Sequence, residues 1–305
     1  MNLRLFLNKY GINANKVSLL KESSDNQVFL ISNGGKKILR ISKRPLNDVG
    51  FELEAIKFLA LHSFPTTMCL PTKDNKPSIL IGKKIAVFFN FIDGVHAQIT
   101  SERESYLKQV YCAGLMLGKL HSISKNYTPT LKRKRTIFTE LERSLVYKEK
   151  FLKKYAGGKQ YINEINNLLS WAKKQKNKSG LIHNDYRPNN IFFNSSSEVV
   201  GMIDFDWCCL GPLVKDLALG LVEWSFPDRA IEPWKEALET FLKGYNTAAP
   251  EKWRINNNLY QWIMFACLSD ASTYFCDLID GHKNEKKITK SYMYHKFKYF
   301  RGLLK

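Results

Sequence analysis

The chain has 305 residues, 44% of them hydrophobic and 13% aromatic, the make-up of a folded globular protein long enough for two lobes with a cleft between them. No apolar run is long enough to span a bilayer, and residues 1–8 carry no apolar segment ending in a small-residue cleavage site, so a soluble, cytoplasmic protein is expected. The formal charge of +19 admits an anionic partner such as nucleic acid, a lipid surface or a phosphorylated ligand without choosing among them.

Residues 27–32 form an apolar run that ends at Asn33-Gly34-Gly35, and residues 37–42 resume it, which predicts a hairpin. A helix is predicted over 49–62, where Ile56, Leu59 and Ala60 recur at helical spacing and Glu52 and Glu54 stand in the first turn. Strands are expected at 78–81 and 84–91, separated by Gly82 and closed by Asp93-Gly94. From Ser101 onward the period becomes helical. Residues 106–121 read as a long buried helix, 132–178 as a charged helical stretch broken only at Gly157-Gly158, and 212 to the end as further helices. The only strand signals in this second part are 191–193 and 199–203, flanking the turn Asn194-Ser195-Ser196-Ser197.

Much of the basic excess lies in 131–135, 148–154, 173–178 and 283–305. In the middle of the chain it is interspersed with Glu140, Glu142 and Glu149, as on a solvated helix face. Contact with nucleic acid or membrane through this surface is therefore not favoured. The six cysteines show neither a Cys-x-x-Cys pair nor a zinc-like spacing, so they read as structural thiols.

The chemistry concentrates in Leu181-Ile182-His183-Asn184-Asp185-Tyr186-Arg187-Pro188-Asn189-Asn190 and in Ile203-Asp204-Phe205-Asp206-Trp207. An Asp two residues after a His and five before an Asn, with another Asp beyond a short hairpin, is the layout of a phosphoryl-transfer centre. Such a reaction spreads negative charge over the transferring oxygens, so it needs metal and cations to neutralise it and a base to align the attacking hydroxyl. Asp185 is placed as that base, and Asn190 and Asp204 as magnesium ligands. Arg187 stands where protein kinases carry a lysine and is expected to meet the transferring phosphate. His183 is expected to brace the loop, with acid–base work as the lesser reading.

These motifs, with the continuation Gly211-Pro212 and Asp216-Leu217-Ala218, make the chain resemble the aminoglycoside phosphotransferase and choline kinase superfamily over nearly its full length. The resemblance implies an α+β, protein-kinase-like fold. Its small antiparallel-sheet N-lobe with one helix would be 1–93, ending in a hinge; its larger, mainly helical C-lobe would be 94–305, holding the catalytic loop, metal site and acceptor pocket. It implies Mg2+-dependent transfer of the γ-phosphate of ATP, or GTP, to a hydroxyl of a small molecule. A kinase-shaped regulatory binder and a protein kinase are the alternatives.

Residue by residue, the resemblance places Ser24 and Asn26 in a glycine-free loop over the nucleotide and the backbone of Phe89, Asn90 and Phe91 against the adenine. It puts Arg40 in the place of the phosphate-pairing lysine, with Lys37 as rival, although strand alternation sets Arg40 opposite Leu39 and Ile41. Glu52 matches the helix acid that pairs with this cation, with Glu54 behind it. Asp216 would hold the catalytic-loop backbone at a helix start, and Asp206 would either assist the metal or fix its loop.

For the acceptor, the resemblance directs attention to Asp206, Glu223, Trp224, Asp228, Trp262, Asp270, Tyr274, Phe275 and Asp277. Asp270 and Asp277, seven apart, share a helix face. Carboxylates with aromatics suit an amine, amino sugar or choline, whereas the basic surplus suits an anionic or zwitterionic acceptor such as an amino-acid alcohol.

Overall fold

Strands dominate the first ninety or so residues, where short apolar runs end at turn residues, and the computed structural model shows which face successive side chains take. It describes residues 3–13, 16–23, 25–32, 34–97, 103–226, 230–281, 287–288 and 291–304. Ser24 and Asp228 lie outside the described residues.

Helix α1 (Leu3–Lys9) leads into strands β1 (Lys16–Glu22), β2 (Asn26–Ser32) and β3 (Lys36–Ser42), then helix α2 (Leu46–Leu61) and strands β4 (Cys69–Leu70), β5 (Ile79–Ile81) and β6 (Lys84–Asn90). These strands form one antiparallel sheet in the order β1-β2-β3-β6-β4, with β5 also paired to β6. Alternation sorts the residues. Phe29, Ile31, Leu39, Ile41 and Phe88 pack on Phe6 and Leu7 of α1, while Ile85, Val87 and Phe89 join Val49, Ile56 and Leu59 of α2. Arg40 lies opposite Val87 in the β3–β6 register, so it faces α2 and not α1.

The rest is mainly helical: α3 (Arg103–Ser124), α4 (Thr139–Val146), α5 (Lys148–Lys154), α6 (Gly158–Lys173), α7 (Leu213–Ser225), α8 (Lys235–Ala248), α9 (Asn257–Asp280) and α10 (Tyr292–Gly302). Helices α3 and α8 touch backbone to backbone. A Cβ added at Gly114 would sit 2.1 Å from the carbonyl oxygen of Phe241, and one at Gly118 2.5 Å from that of Tyr245, so only glycine permits this approach. Apolar side chains of α2, α3 and α7 to α9 form one continuous core running from the sheet into the helices.

Several expectations need correction. The N-terminal part carries a second helix, α1, and two additional strands, β1 and β4. The helical part holds more strands than the two expected, which become β9 (Ile191–Phe193) and β10 (Val199–Met202). β7 (Val95–His96) extends that hairpin, and β8 (Ser179–Ile182) pairs with β11 (Cys209–Pro212). The basic stretch after Leu131 is irregular up to Phe138, and the helices that follow break at Tyr147 as well as at the glycines. Glu140 is not on a solvated face: it is buried between Arg135 at 2.6 Å and Arg143 at 3.3 Å. All six cysteines are free thiols.

Candidate active site

The loop after β8 is held by Asp216, in the first turn of α7. Its carboxylate accepts from the backbone N–H groups of His183 and Asn184, both at 2.8 Å. Asp216 is fully buried; burial alone would raise its carboxyl, but the hydrogen bond from His121 and the neighbouring His183 and Lys215 hold it below the ordinary range. His183 has both ring nitrogens engaged. Nδ1 accepts from the Asp185 N–H at 3.3 Å, so Nε2 carries the proton and donates to the carbonyl of Ile203 at 2.9 Å. That bond ties the loop to the end of β10, where Ile203 N donates to the carbonyl of Asn190. Asn184 and Asp204 sit at φ of 64° and 65°, a left-handed conformation uncommon in non-glycine residues but tolerated best by Asn and Asp.

Asp185 lies between two neighbours. Oδ2 accepts from the Asn190 amide at 3.0 Å, and Oδ1 pairs with Arg187 Nη2 at 2.6 Å. The amide nitrogen of Asn190 also donates to the Asp185 carbonyl at 2.8 Å, which leaves its oxygen as the remaining ligand atom. Asp204 is pushed up to about 7 by burial first, then by the charges of Asp206 and Asp185, with Lys21 only 3.9 Å away in opposition. Excess negative charge of this kind suits a hard cation. The Asp204 carboxylate and the Asn190 amide oxygen are hard oxygen donors, a pair that fits a divalent cation.

On the sheet side, Arg40 grips Glu52 with both guanidinium nitrogens, at 2.7 and 2.8 Å, and reaches Asp206 at 2.5 Å. Arg44 joins them, at 2.8 Å from Glu52 and 2.7 Å from Asp206. All these side chains are at most 9% exposed. Asp206 also accepts from Asn26, and Arg40 and Arg44 hold its carboxyl below the usual range against the effect of burial. Arg133 donates to the carbonyls of Asp206 and Cys208. Glu54, the rival to Glu52, instead accepts from the backbone of Thr130 and Leu131.

At the sheet's end, Asn90 has its side chain engaged: its oxygen accepts from Thr67 at 3.1 Å and from the Met68 N–H at 2.5 Å. Phe89 pairs in register with Ile38 and Cys69, and Phe91, just beyond β6, lies under Lys36.

Beyond Asp185 opens a cavity of about 240 Å3 lined by Arg135, Asn184, Arg187, Trp207, Lys215 and Asp270 among others. Arg187 bridges Asp185 to Asp270, 3.3 Å away on α9. Burial, with Glu223 and Asp185 nearby, raises the Asp270 carboxyl despite Arg187. Glu223 is 3.6 Å from Lys296 of α10.

Other expected acceptor residues are elsewhere. Asp206 belongs to the arginine cluster. Tyr274 is exposed and packs on Phe275. Asp277 pairs with Arg143 at 2.8 Å, because seven residues carry it about 10.5 Å along the helix from Asp270, away from the cavity. Arg44, Arg133, Arg135 and Lys215 were not singled out from sequence. Period-two reading of Lys132-Arg133-Lys134-Arg135 would have found two of them, since the lysines are exposed while Arg133 reaches the Asp206 loop and Arg135 stacks on Trp207 at 3.8 Å.

A family model described as the phosphotransferase enzyme family matches residues 16–255. The chain belongs to this family. Among curated relatives of this phosphotransferase are the homoserine kinases of Caulobacter vibrioides (24% identical over 267 residues, 81% of this chain and 78% of the relative) and Rhodospirillum rubrum (26% over 233 residues, 74% and 70%). Solved structures with the same fold include an amicoumacin kinase in complex with AMP-PNP and Ca2+, at a TM-score of 0.75 and 16% identity over 98% of this chain and 91% of that one. A microcompartment-associated aminopropanol kinase aligns at 0.65 and 17%, covering 98% and 93%. This phosphotransferase is a small-molecule kinase of α+β fold.

Proposed function

We propose that the enzyme transfers the γ-phosphate of ATP or GTP, with Mg2+, to the hydroxyl of a small, amine-bearing alcohol seated in the cavity beside Asp185. The observation that carries this reading is the position of Asp185 itself, with the Asn190 amide on one side and the acceptor cavity on the other. A hydroxyl entering from the cavity meets the carboxylate, which accepts its proton as the oxygen attacks phosphorus.

The nucleotide would lie between the sheet and the catalytic loop, beside Asn26 at the start of β2, its adenine against the backbone of Phe89 to Phe91. Arg40, fixed by Glu52, would meet its phosphates. Asn190 and Asp204 would hold Mg2+, which supplies charge neutralisation on the phosphate oxygens when bound. Arg187 contacts both Asp185 and Asp270 through Nη2, so its guanidinium retains Nη1 as a donor for the transferring group. Asp206 has both carboxylate oxygens engaged by Arg40, Arg44 and Asn26, which favours a loop-fixing role over a metal ligand. His183 braces the loop. The division between lobes falls after Asp93.

The cavity is smaller than the roughly 300–1,000 Å3 common for drug-sized ligands, which favours an acceptor of few heavy atoms over a multi-ring amino sugar. Asp270, with its carboxyl raised by burial, favours an amine as counter-charge. The names of the relatives, homoserine kinase and aminopropanol kinase, are compatible with such an acceptor. The test is nucleoside diphosphate release with a panel of amino alcohols, aminoglycosides and choline. Release stimulated about tenfold or more by a small amino alcohol, and abolished by chelating Mg2+, is the expected result; stimulation by multi-ring aminoglycosides alone would remove the small-acceptor reading.

A further inference from the structure

Cations line the acceptor cavity at Arg135, Arg187 and Lys215, and their partners differ. Arg135 pairs with Glu140, and Arg187 pairs with Asp185 and Asp270. Lys215 pairs with no carboxylate among the described residues; its ammonium donates to the side-chain oxygen of Asn184 alone. Yet it is only 3% exposed. An ammonium has three donors, and a buried one with a single neutral acceptor is a poorly satisfied group. Burial lowers its pKa, an effect that an anion in contact with it would oppose. Asn184, which precedes the proposed base, is itself anchored by donating to the Trp207 carbonyl at 3.1 Å. The unsatisfied ammonium is thus held in the wall of the cavity that Asp185 and Asp270 also line.

We propose that Lys215 seats a carboxylate of the acceptor. The inference rests on the reading that Asp185 activates a hydroxyl in this cavity, and it narrows the acceptor to a zwitterion whose hydroxyl meets Asp185, amine meets Asp270 and carboxylate meets Lys215. A single unpaired ammonium matches one carboxylate better than a doubly charged phosphate. The geometry makes Lys215 a specificity residue, distinct from a purely structural support of Asn184, because a support needs no unfilled donors.

Homoserine and 3-aminopropan-1-ol separate the two roles, since they share the hydroxyl and amine at the same spacing and differ by the carboxylate. The wild-type kcat/KM should favour homoserine by about tenfold or more, the scale of a charge-assisted hydrogen bond. Lys215→Met should raise the KM for homoserine much more than that for aminopropanol and bring the ratio close to one. Equal use of both alcohols by the wild type, or an equal fall in kcat for both in the variant, would overturn the proposal.

If Lys215→Met does not fold, as read from its circular dichroism, wild-type binding of homoserine against its carboxamide decides. Binding of the carboxamide weaker by about tenfold supports the carboxylate seat, and equal binding refutes it. If neither alcohol is phosphorylated, calorimetry on the enzyme with Mg2+ and ADP still decides. Preferential binding of homoserine keeps the Lys215 inference while the reading of Asp185 fails; absent or equal binding ends the inference.

Discussion

Replacing Asp185 by asparagine is expected to lower kcat for the acceptor by a factor of about 10²–10⁴, the range for removing a positioned general base. Asparagine keeps the shape and can still accept from Asn190 at the site of the 3.0 Å bond, so the loop should stay in place. What it lacks is the capacity to take the hydroxyl proton as the oxygen attacks. Nucleotide binding, measured by calorimetry, should change little, because Asp185 meets the acceptor side of the site. Acceptor-dependent diphosphate release gives kcat, and circular dichroism checks the fold. A variant within threefold of wild type would exclude Asp185 as the base.

The second large effect lies on the other side of the cleft. Glu52 is 1% exposed and is the counter-charge of both Arg40 and Arg44; Asp206 is the remaining carboxylate of the cluster. Glu52→Ala leaves two buried guanidinium groups against one carboxylate, and breaking a buried pair in this way costs about 3–5 kcal/mol. The urea midpoint should fall accordingly with its slope unchanged. The double variant Arg40→Met/Glu52→Leu removes one charge of each sign and should lose less stability than Glu52→Ala alone. A Glu52→Ala protein as stable as wild type would mean that Asp206 alone balances both arginines. The same variant should also raise the KM for nucleotide, since Arg40 loses the bidentate partner that fixes its fork.

The proposed nucleotide half of the site was legible because its candidate residues are compressed into short runs. Asp185, Asn190 and Asp204 sit within a loop and a hairpin, so their spacing in sequence is their spacing in space. Arg40 and Glu52 follow from the resemblance, with strand alternation agreeing for Arg40, and the structure joins them in a two-nitrogen, two-oxygen pair. The hairpin of β2 and β3 announces itself by its apolar runs and intervening glycines. β1 does not, because Leu19 and Leu20 are both exposed and the strand buries neither face. β8 and β11 escaped for a different reason. They are four residues each, place Gly180 opposite Gly211, and owe their pairing to tertiary contacts, with no strand propensity of their own.

The proposed acceptor half is a cavity lined by Arg135, Asp185, Trp207, Lys215 and Asp270, which come from separate segments, and no local pattern links them. Counting carboxylates on α9 therefore chose Asp270 correctly for the cavity wall and also chose Asp277, which faces Arg143. Charge counting erred in a similar way. Arg133 and Arg135 belong to the most basic run of the middle region, yet they clamp the Asp206 loop and stack on Trp207, so part of the surplus is engaged in contacts within the chain.

The most direct measurement is phosphorus NMR of a reaction containing the enzyme, Mg2+, ATP and a hydroxy amino acid such as homoserine. The account predicts loss of the γ-phosphate signal matched by a new phosphate monoester coupled to the acceptor's hydroxyl-bearing carbon, absent in Asp185→Asn. Inorganic phosphate as the sole product across the acceptor panel, or the same monoester formed at an undiminished rate by Asp185→Asn, would contradict it.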